Sequence, residues 1–204
     1  QGCDGSILIN STKNNTAEKD SPPNFTLRGY GVIDRVKTAL EKECPGVVSC
    51  ADTLAIVARD VTVAVSFVIT GRRDGTVSTM SEAFGLIPPS ANISTLIAGF
   101  RARGLSVKDL VVLISHCSSF TNRIYNFTGR GDVDPTLDSE YRRALFQSDA
   151  AMLDDVETKA YVEKSLTAGS TFLKDFGESM VRMGRIGVLT GQAGEIRKVC
   201  YQIN

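Results

Sequence analysis

Between Gly29 and Glu43 apolar residues return every three or four positions, at Val32, Ile33, Val36, Ala39 and Leu40, with Asp34, Arg35, Lys37 and Glu41 on the other side. That period makes one face of an α-helix apolar, so the rest of the chain must supply a surface to cover it. Pro45-Gly46 is expected to stop the helix, because proline cannot continue one. A second run, SCADTLAIVARDVTVAV, is apolar almost all round and is expected to be buried; Ser49 and Asp52 stand at capping-box spacing at its start, with Asp in place of Glu. Helical spacing returns in NISTLIAGFRARG, which ends at Gly104, and restarts at Ser106 with Asp109 three residues on. Asp134-Pro135 has the form of an N-cap followed by proline at the first helical position. Leu166, Phe172, Phe176, Met180 and Met183 keep one stripe through STFLKDFGESMVRMG, closed by Gly184. Strand signals are few: SFVITGRRDGTVS reads as a short extended piece with a turn at Asp74-Gly75. With no internal repeat and no low-complexity linker, the pattern predicts an all-α globular domain with short extended segments only.

Composition narrows the function. The 23 basic residues balance the 23 acidic ones, so there is no charge excess to draw in nucleic acid or an anionic membrane surface. No window approaches the length of apolar sequence that crosses a bilayer. The start, QGCDGSILIN, lacks Met and a leader pattern, and Gln1 is read as an interior point of a longer protein or a processing product. The five cysteines, Cys3, Cys44, Cys50, Cys117 and Cys200, form no CxxC and have a single histidine for company, which favours disulfides over a zinc site. Asn-x-Ser/Thr sequons at Asn10, Asn14, Asn24, Asn92 and Asn126 point the same way, to an oxidising, secretory history. An odd cysteine count leaves at least one thiol without an intrachain partner.

Several short motifs carry chemistry only weakly. GCDGSILIN sets Gly2, Asp4 and Ser6 within one turn's reach; a backbone carbonyl with Asp and Ser oxygens suits a hard cation such as calcium, although an Asx-type turn has the same pattern. Arg72, Arg73 and Asp74 in TGRRDG read as a solvated turn rather than an internal ion-pair cluster. Arg130-Gly131-Asp132 is a tripeptide that arises readily by chance. The lone histidine, His116, closes the apolar stretch VVLIS, a place that suits a packed or surface residue better than a metal ligand.

Longer blocks are specific. ECPGVVSCADTLAIVARD (43–60), TGRRDG (70–75), GLSVKDLVVL (104–113), SHCSSFTNRIYNFTG (115–129), LFQSDAAML (145–153) and MVRMGRIGVLTGQAGEIRKVCYQIN (180–204) follow one another in family order. The chain resembles the secretory plant peroxidases, the class III haem peroxidases. That resemblance implies an all-α, two-lobed fold with haem b between the lobes, here incomplete: a remnant of the distal lobe and core over 1–113, and of the proximal lobe and C-terminal helices over 114–204. It implies an oxidoreductase that reduces hydrogen peroxide and oxidises small phenolic donors. Such a protein is expected to be monomeric, secreted to the cell wall or apoplast or held in the vacuole, and braced by calcium and disulfides. Residue by residue, Gly2, Asp4 and Ser6 match part of the distal calcium loop. Glu18 matches the acidic residue linking that shell to the distal pocket. Asn24 matches the asparagine that supports the distal histidine, so its sequon is expected to be buried. Pro88 matches the proline at the mouth of the donor channel, and Cys50 and Cys200 match a disulfide pair.

Other equipment of the family has no counterpart. The motif with the distal arginine and histidine falls before Gln1, along with the partners of Cys3 and Cys44. Between Leu113 and Ile114 the family has a Gly-x-His-Thr block with the proximal histidine. A further block, holding the rest of the proximal calcium site and the partner of Cys117, is absent between Ala144 and Leu145, and a shorter gap lies near Val65–Phe67. His116 aligns several places after the proximal histidine. It falls three residues beyond Leu113 where the ligand falls four beyond, a difference of about 100° around a helix. Cys117 takes the fourth place, and a thiolate can hold haem iron; His116 or Cys117 is thus the remaining candidate axial ligand. The expectation is a haem peroxidase by family whose own catalysis is impaired; the alternative is a non-catalytic remnant or calcium-loop scaffold. Loss of the connecting block is also expected to expose apolar surface at Phe172 and Phe176.

Overall fold

The computed structural model describes residues 2–62, 68–88, 90–115, 130, 151–167 and 169–204. Among these residues the chain is helical, with seven α-helices, three single turns of 3₁₀-helix and no β-structure beyond isolated bridges. It divides into two compact units, one made of Gln1–Leu86 with Val181–Asn204, the other of Ile87–Met180.

In the first unit α1 (Tyr30–Glu43) starts after Gly29, whose φ of 91° is a left-handed conformation that a side chain would disfavour. Ile33 is buried as its spacing predicts, but Val32 is 43% exposed and Lys37, expected on the wet face, is 1% exposed. Lys37 tolerates burial because its Nζ donates to Glu41 Oε1 at 2.6 Å and to the Val48 carbonyl at 2.5 Å. Glu41 also accepts the Gly46 N–H at 3.0 Å, so the pair fastens the Pro45–Val48 loop to the helix, and the Lys37 hydrogen bond holds the Glu41 carboxyl below its usual range. The packing of α1 against α2 (Cys50–Thr62) decides the order of burial: only the first turn of α2 is buried, and the helix is half exposed beyond Thr53. Ser49 Oγ accepts the Asp52 N–H at 2.9 Å, which is half of the expected capping box. Asp52 does not return the bond. Its carboxylate instead accepts the Gly71 N–H at 2.6 Å and pairs with Arg72 at 2.9 Å.

TGRRDG is therefore not a solvated turn. Arg72 is 7% exposed and Asp74 is inaccessible, and the segment runs extended, with antiparallel bridges from Arg73 to Leu189 and Asp74 to Glu195. The Arg72 guanidinium donates to the Gly184 carbonyl through Nε and Nη2 (3.1 and 2.6 Å) and to the Ile69 carbonyl. Asp74 accepts the N–H groups of Cys50 (3.0 Å), Ala51 (2.8 Å) and Arg197 (2.8 Å), the first two being orphan donors at the N-terminus of α2. The Arg197 guanidinium, also inaccessible, lies 3.7 Å from Asp74 and donates to the carbonyls of Cys200 (2.7 Å) and Gly5 (2.6 Å). A Cβ at Gly5 would stand 2.8 Å from that guanidinium, and φ there is 69°, so both space and backbone call for glycine. The Cys50–Cys200 disulfide closes a span of 150 residues beside this network, for which chain entropy alone gives about 5 kcal/mol.

The second unit is built on α4 (Ile93–Arg101) and α5 (Val107–Ser115), with α6 (Val156–Thr167) and all but the end of α7 (Gly169–Met183); α3 (Met80–Ala83) is a single turn in the first unit. Asn92 caps α4 by accepting the Thr95 N–H at 2.9 Å, and Gly104 follows its end with φ 73°. The Ser106/Asp109 capping box forms in both directions, at 2.8 and 3.1 Å. Asp109 also accepts from Ser179 on α7 at 2.6 Å, and Lys108 pairs with Asp175 at 2.6 Å. Leu110 packs with Ala91 and Leu96 in the core of this unit. Phe176 is 3% exposed and Phe172, 6.3 Å from it between ring centroids, is half-buried, so this pair is not the bared apolar surface expected of it. The Asp134-Pro135 cap lies outside the described residues.

Asp74→Ala leaves the Arg197 charge buried without its partner and two helix-start N–H groups unanswered. The unfolding free energy in urea is expected to fall by about 3–5 kcal/mol, the usual cost of removing one member of a buried pair. A loss below about 1 kcal/mol would show that the pair contributes no more than an exposed one.

Candidate functional site

The candidate residues near the start of the chain converge. Cys3 donates its N–H to the Ile186 carbonyl at 2.8 Å, and Gly75 donates to the Asp4 carbonyl at 2.8 Å, so this segment is clamped on two sides. The clamp is close: a Cβ at Gly2 would collide with the Gly187 carbonyl, and one at Gly75 with the Asp4 carboxylate. Asp4 Oδ1 accepts the Ser6 N–H at 3.1 Å, the Asx turn anticipated from the motif. Ser6, at the start of a 3₁₀ turn, donates its hydroxyl to Glu18 Oε2 at 3.2 Å.

Glu18 is buried on the turn Glu18–Asp20 and accepts in turn from its surroundings. Its N–H donates to Ser78 Oγ at 3.1 Å, and its carbonyl accepts from Asn24 Nδ2 at 2.8 Å. Asn24 is thus half-buried rather than buried, but its carboxamide nitrogen is engaged. A pocket of about 170 Å³ opens here, lined by Asp4, Ser6, Glu18, Thr76 and Glu82 among others. Burial, together with a hydrogen bond from the neighbouring Glu82 carboxyl, pushes Glu18 up to about 7; Ser6 pulls the other way and Asp4 adds repulsion. Two carboxyls this close share a proton more readily than they both ionise.

Glu82 is the member of this site that sequence reasoning passed over. Thr79 and Glu82 have capping-box spacing at the start of α3, and Glu82 does accept the Thr79 N–H at 3.4 Å. That signal finds a helix start. It does not reveal that α3 packs on the Glu18 turn, which is a matter of tertiary contact.

Pro88 belongs to the second unit, is exposed, and accepts the Ala91 N–H at 3.0 Å through its carbonyl. His116 and Cys117 lie outside the described residues. The Cys50–Cys200 disulfide is formed, as the family pattern implied. Cys3 and Cys44 are free; burial pushes the Cys3 thiol up, and each Sγ rests on a backbone carbonyl, of Met183 at 3.4 Å and of Leu40 at 3.3 Å.

The donor set suits a hard cation in kind, being all oxygen: the Asp4 carboxylate, the Ser6 hydroxyl and the carbonyls of a glycine-tight loop. Among the described residues no three carboxylate, imidazole or thiol side chains are placed to hold one metal ion together, so a calcium ion here would depend on carbonyls and water for much of its shell. Haem iron is a different matter. The chain has one histidine, His116, and it lies outside the described residues.

Comparison with known proteins agrees with the blocks. The peroxidase family model matches residues 1–148. Peroxidase 56 of Arabidopsis thaliana is 51% identical over 254 residues, covering 100% of this chain and 77% of the relative. Peroxidase 27 of the same plant is 49% identical over 253 residues, covering 100% and 78%, and Peroxidase 1 of Oryza sativa subsp. japonica is 43% identical over 258, covering 100% and 79%. The chain belongs to the peroxidase family, among its secretory plant members. The aligned span of 254 residues in Peroxidase 56 exceeds the 204 residues of the chain that cover it, so about fifty positions of the relative have no counterpart between the first and last matched residues.

Because the folded Glu18 binds its proton more tightly than an unfolded glutamate, the folded state holds more protons between pH 4.5 and about 7. Stability of the calcium-free protein is expected to decline as pH rises through that window and to level off above it, by roughly 1–3 kcal/mol in all. Glu18→Gln, which cannot ionise, should flatten the profile; urea unfolding at several pH values reads both, and an identical slope in the variant would remove Glu18 as its source.

Proposed function

We propose that this chain is a haem-peroxidase relative whose own peroxide chemistry is impaired. The family reaction, reduction of hydrogen peroxide coupled to oxidation of small phenolic donors, needs an imidazole below the iron and an acid/base above it. The observation that carries the reading is α5. It runs unbroken from Val107 to Ser115, straight through the Leu113–Ile114 peptide where the family resemblance calls for the Gly-x-His-Thr block. Leu110, Val111 and Val112 are buried just before that junction and Ile114 packs on the same core, so the helix is committed to its present register. By sequence spacing His116 falls three residues beyond Leu113, where the family's ligand falls four beyond. When bound, haem would supply the two-electron cleavage of the peroxide O–O bond; this chain's own residues offer Asn24 and Glu18 as distal-pocket support and Pro88 at the donor entrance. An oxidising compartment, secreted or vacuolar, is supported by the Cys50–Cys200 bond.

A second reading, a calcium-loop scaffold without catalysis, has its own support in the oxygen-lined pocket at Asp4, Ser6 and Glu18. Gly2, Asp4 and Ser6 would hold the ion, and its charge would relieve the crowding of carboxyls around Glu18.

Adding hemin to the purified protein should give no sharp Soret band and no peroxide-dependent oxidation of guaiacol, whereas a variant with the Gly-x-His-Thr block restored between Leu113 and Ile114 should recover the band. A sharp band with turnover in the chain as it stands overturns the impairment. Calcium should raise the melting temperature of the chain and lose that effect in Asp4→Ala; no shift in either protein counts against the scaffold.

A further inference from the structure

We propose that Asn14 carries an N-linked glycan and that Asn24, in spite of an equivalent sequon, does not. This rests on the reading that the chain passes through a secretory compartment, and it assigns the modification to one place on the fold. The two sites share the same chemistry in sequence, Asn14-Asn15-Thr16 and Asn24-Phe25-Thr26. Their surroundings separate them.

Asn14 sits at the tip of a tight turn. Thr12 donates its N–H to the Asn15 carbonyl at 2.9 Å and Asn15 returns one to Thr12 at 3.4 Å, leaving Lys13 and Asn14 as the two residues at the end. Both are exposed. The carboxamide of the next residue, Asn15, donates to the Ser78 carbonyl at 2.8 Å, which fixes the base of the turn to the body of the unit and holds the tip outward. The Asn14 side chain does no such structural work. A glycan there meets solvent and breaks no bond of the fold.

Asn24 is the opposite case. Its Nδ2, the atom that would bear the sugar, already donates to the Glu18 carbonyl at 2.8 Å in a half-buried position. Glu18 is buried and lines the acidic pocket, so a sugar ring at Asn24 would have to stand against the turn that shapes that pocket. Asn10 and Asn92 are exposed but use their carboxamide oxygens: Asn10 Oδ1 accepts from Lys19 at 2.8 Å, and Asn92 Oδ1 caps α4; Asn126 lies outside the described residues. In the first two the oxygen is used and the nitrogen is not the atom holding the fold.

The transfer itself balances simply. The Nδ2 of Asn14 attacks the anomeric carbon of an oligosaccharide carried on a polyprenyl diphosphate. The C–O bond to the diphosphate breaks, a C–N bond forms, one amide proton is lost, and the polyprenyl diphosphate leaves with the electron pair.

The test uses the whole 204-residue chain directed into the secretory pathway of a eukaryotic host, or into microsomes if secretion fails. Folded product is treated with peptide N-glycosidase in heavy-oxygen water and its peptides are read by mass spectrometry. Labelled conversion to Asp is expected at Asn14 in most molecules and at Asn24 in none, and Asn14→Gln should lose one glycan's mass while remaining folded. A bare Asn14, or an occupied Asn24 in folded material, overturns the assignment. Because the compartment is imposed, neither result touches the question of where the native protein resides; that is read from whether Cys50 and Cys200 of protein from its own tissue resist alkylation.

Discussion

The carboxylate of Asp74 has no access to water, so its charge must be balanced within the chain. It is balanced from three directions: the N–H groups that open α2, the backbone of Arg197, and the Arg197 guanidinium. Because Arg197 reaches on to Gly5 and Cys200, this one anion joins the beginning of the chain, its middle and its end. The disulfide from Cys50 to Cys200 lies beside the same junction and makes it covalent. A buried pair of this kind adds less net stability than its geometry suggests, since desolvation opposes attraction. What it does here is tie the C-terminal segment to the start of α2 and to the Gly5 loop at the same time.

The acidic pocket depends on that junction. Asp4 is held by Gly75, the residue after Asp74, and Gly5, the residue after Asp4, meets Arg197. The loop that presents Asp4 and Ser6 to Glu18 is thus hung from the ion-pair network. The elevated proton affinity of Glu18 follows first from its burial on this fixed backbone and then from the Glu82 carboxyl beside it. Asn24, tied to the Glu18 carbonyl, extends the same rigid group. The Glu18 and Asn24 group is therefore held on several sides, and α5 runs continuously from Val107 to Ser115.

Much of this was legible in sequence where the cause is local. The Ser106/Asp109 box, the glycine closing α4 and the Asx turn at Asp4 all follow from neighbours within four residues of one another, and all formed. Errors fell where a distant partner outbid a local one. Asp52 has capping-box spacing from Ser49 yet spends its carboxylate on Gly71 and Arg72. Lys37 is a charge expected on the wet side of α1, but it finds Glu41 and the Val48 carbonyl, which make its burial tolerable. TGRRDG is charged enough to read as solvated, and it is internal because each charge meets an opposite charge or a carbonyl from far along the chain. The Phe172/Phe176 pair was likewise expected bare, and Phe176 is covered.

By itself the sequence determined the family, through six blocks in order, and with it the helical class and the disulfide pair, and it singled out Gly2, Asp4, Ser6, Glu18 and Asn24 as candidates that the fold then brings close together. It also limited the chain to a single imidazole. Only the tertiary structure decided that Glu82 faces Glu18, that Asn24 spends its nitrogen on a backbone carbonyl while Asn14 keeps its own at a turn tip, and that Asp74 governs both chain ends. The physical reason is one of range. Period and capping act over a turn or two of backbone, whereas burial of charge is settled by whichever groups the folded chain brings within hydrogen-bonding distance, however far apart they lie in sequence.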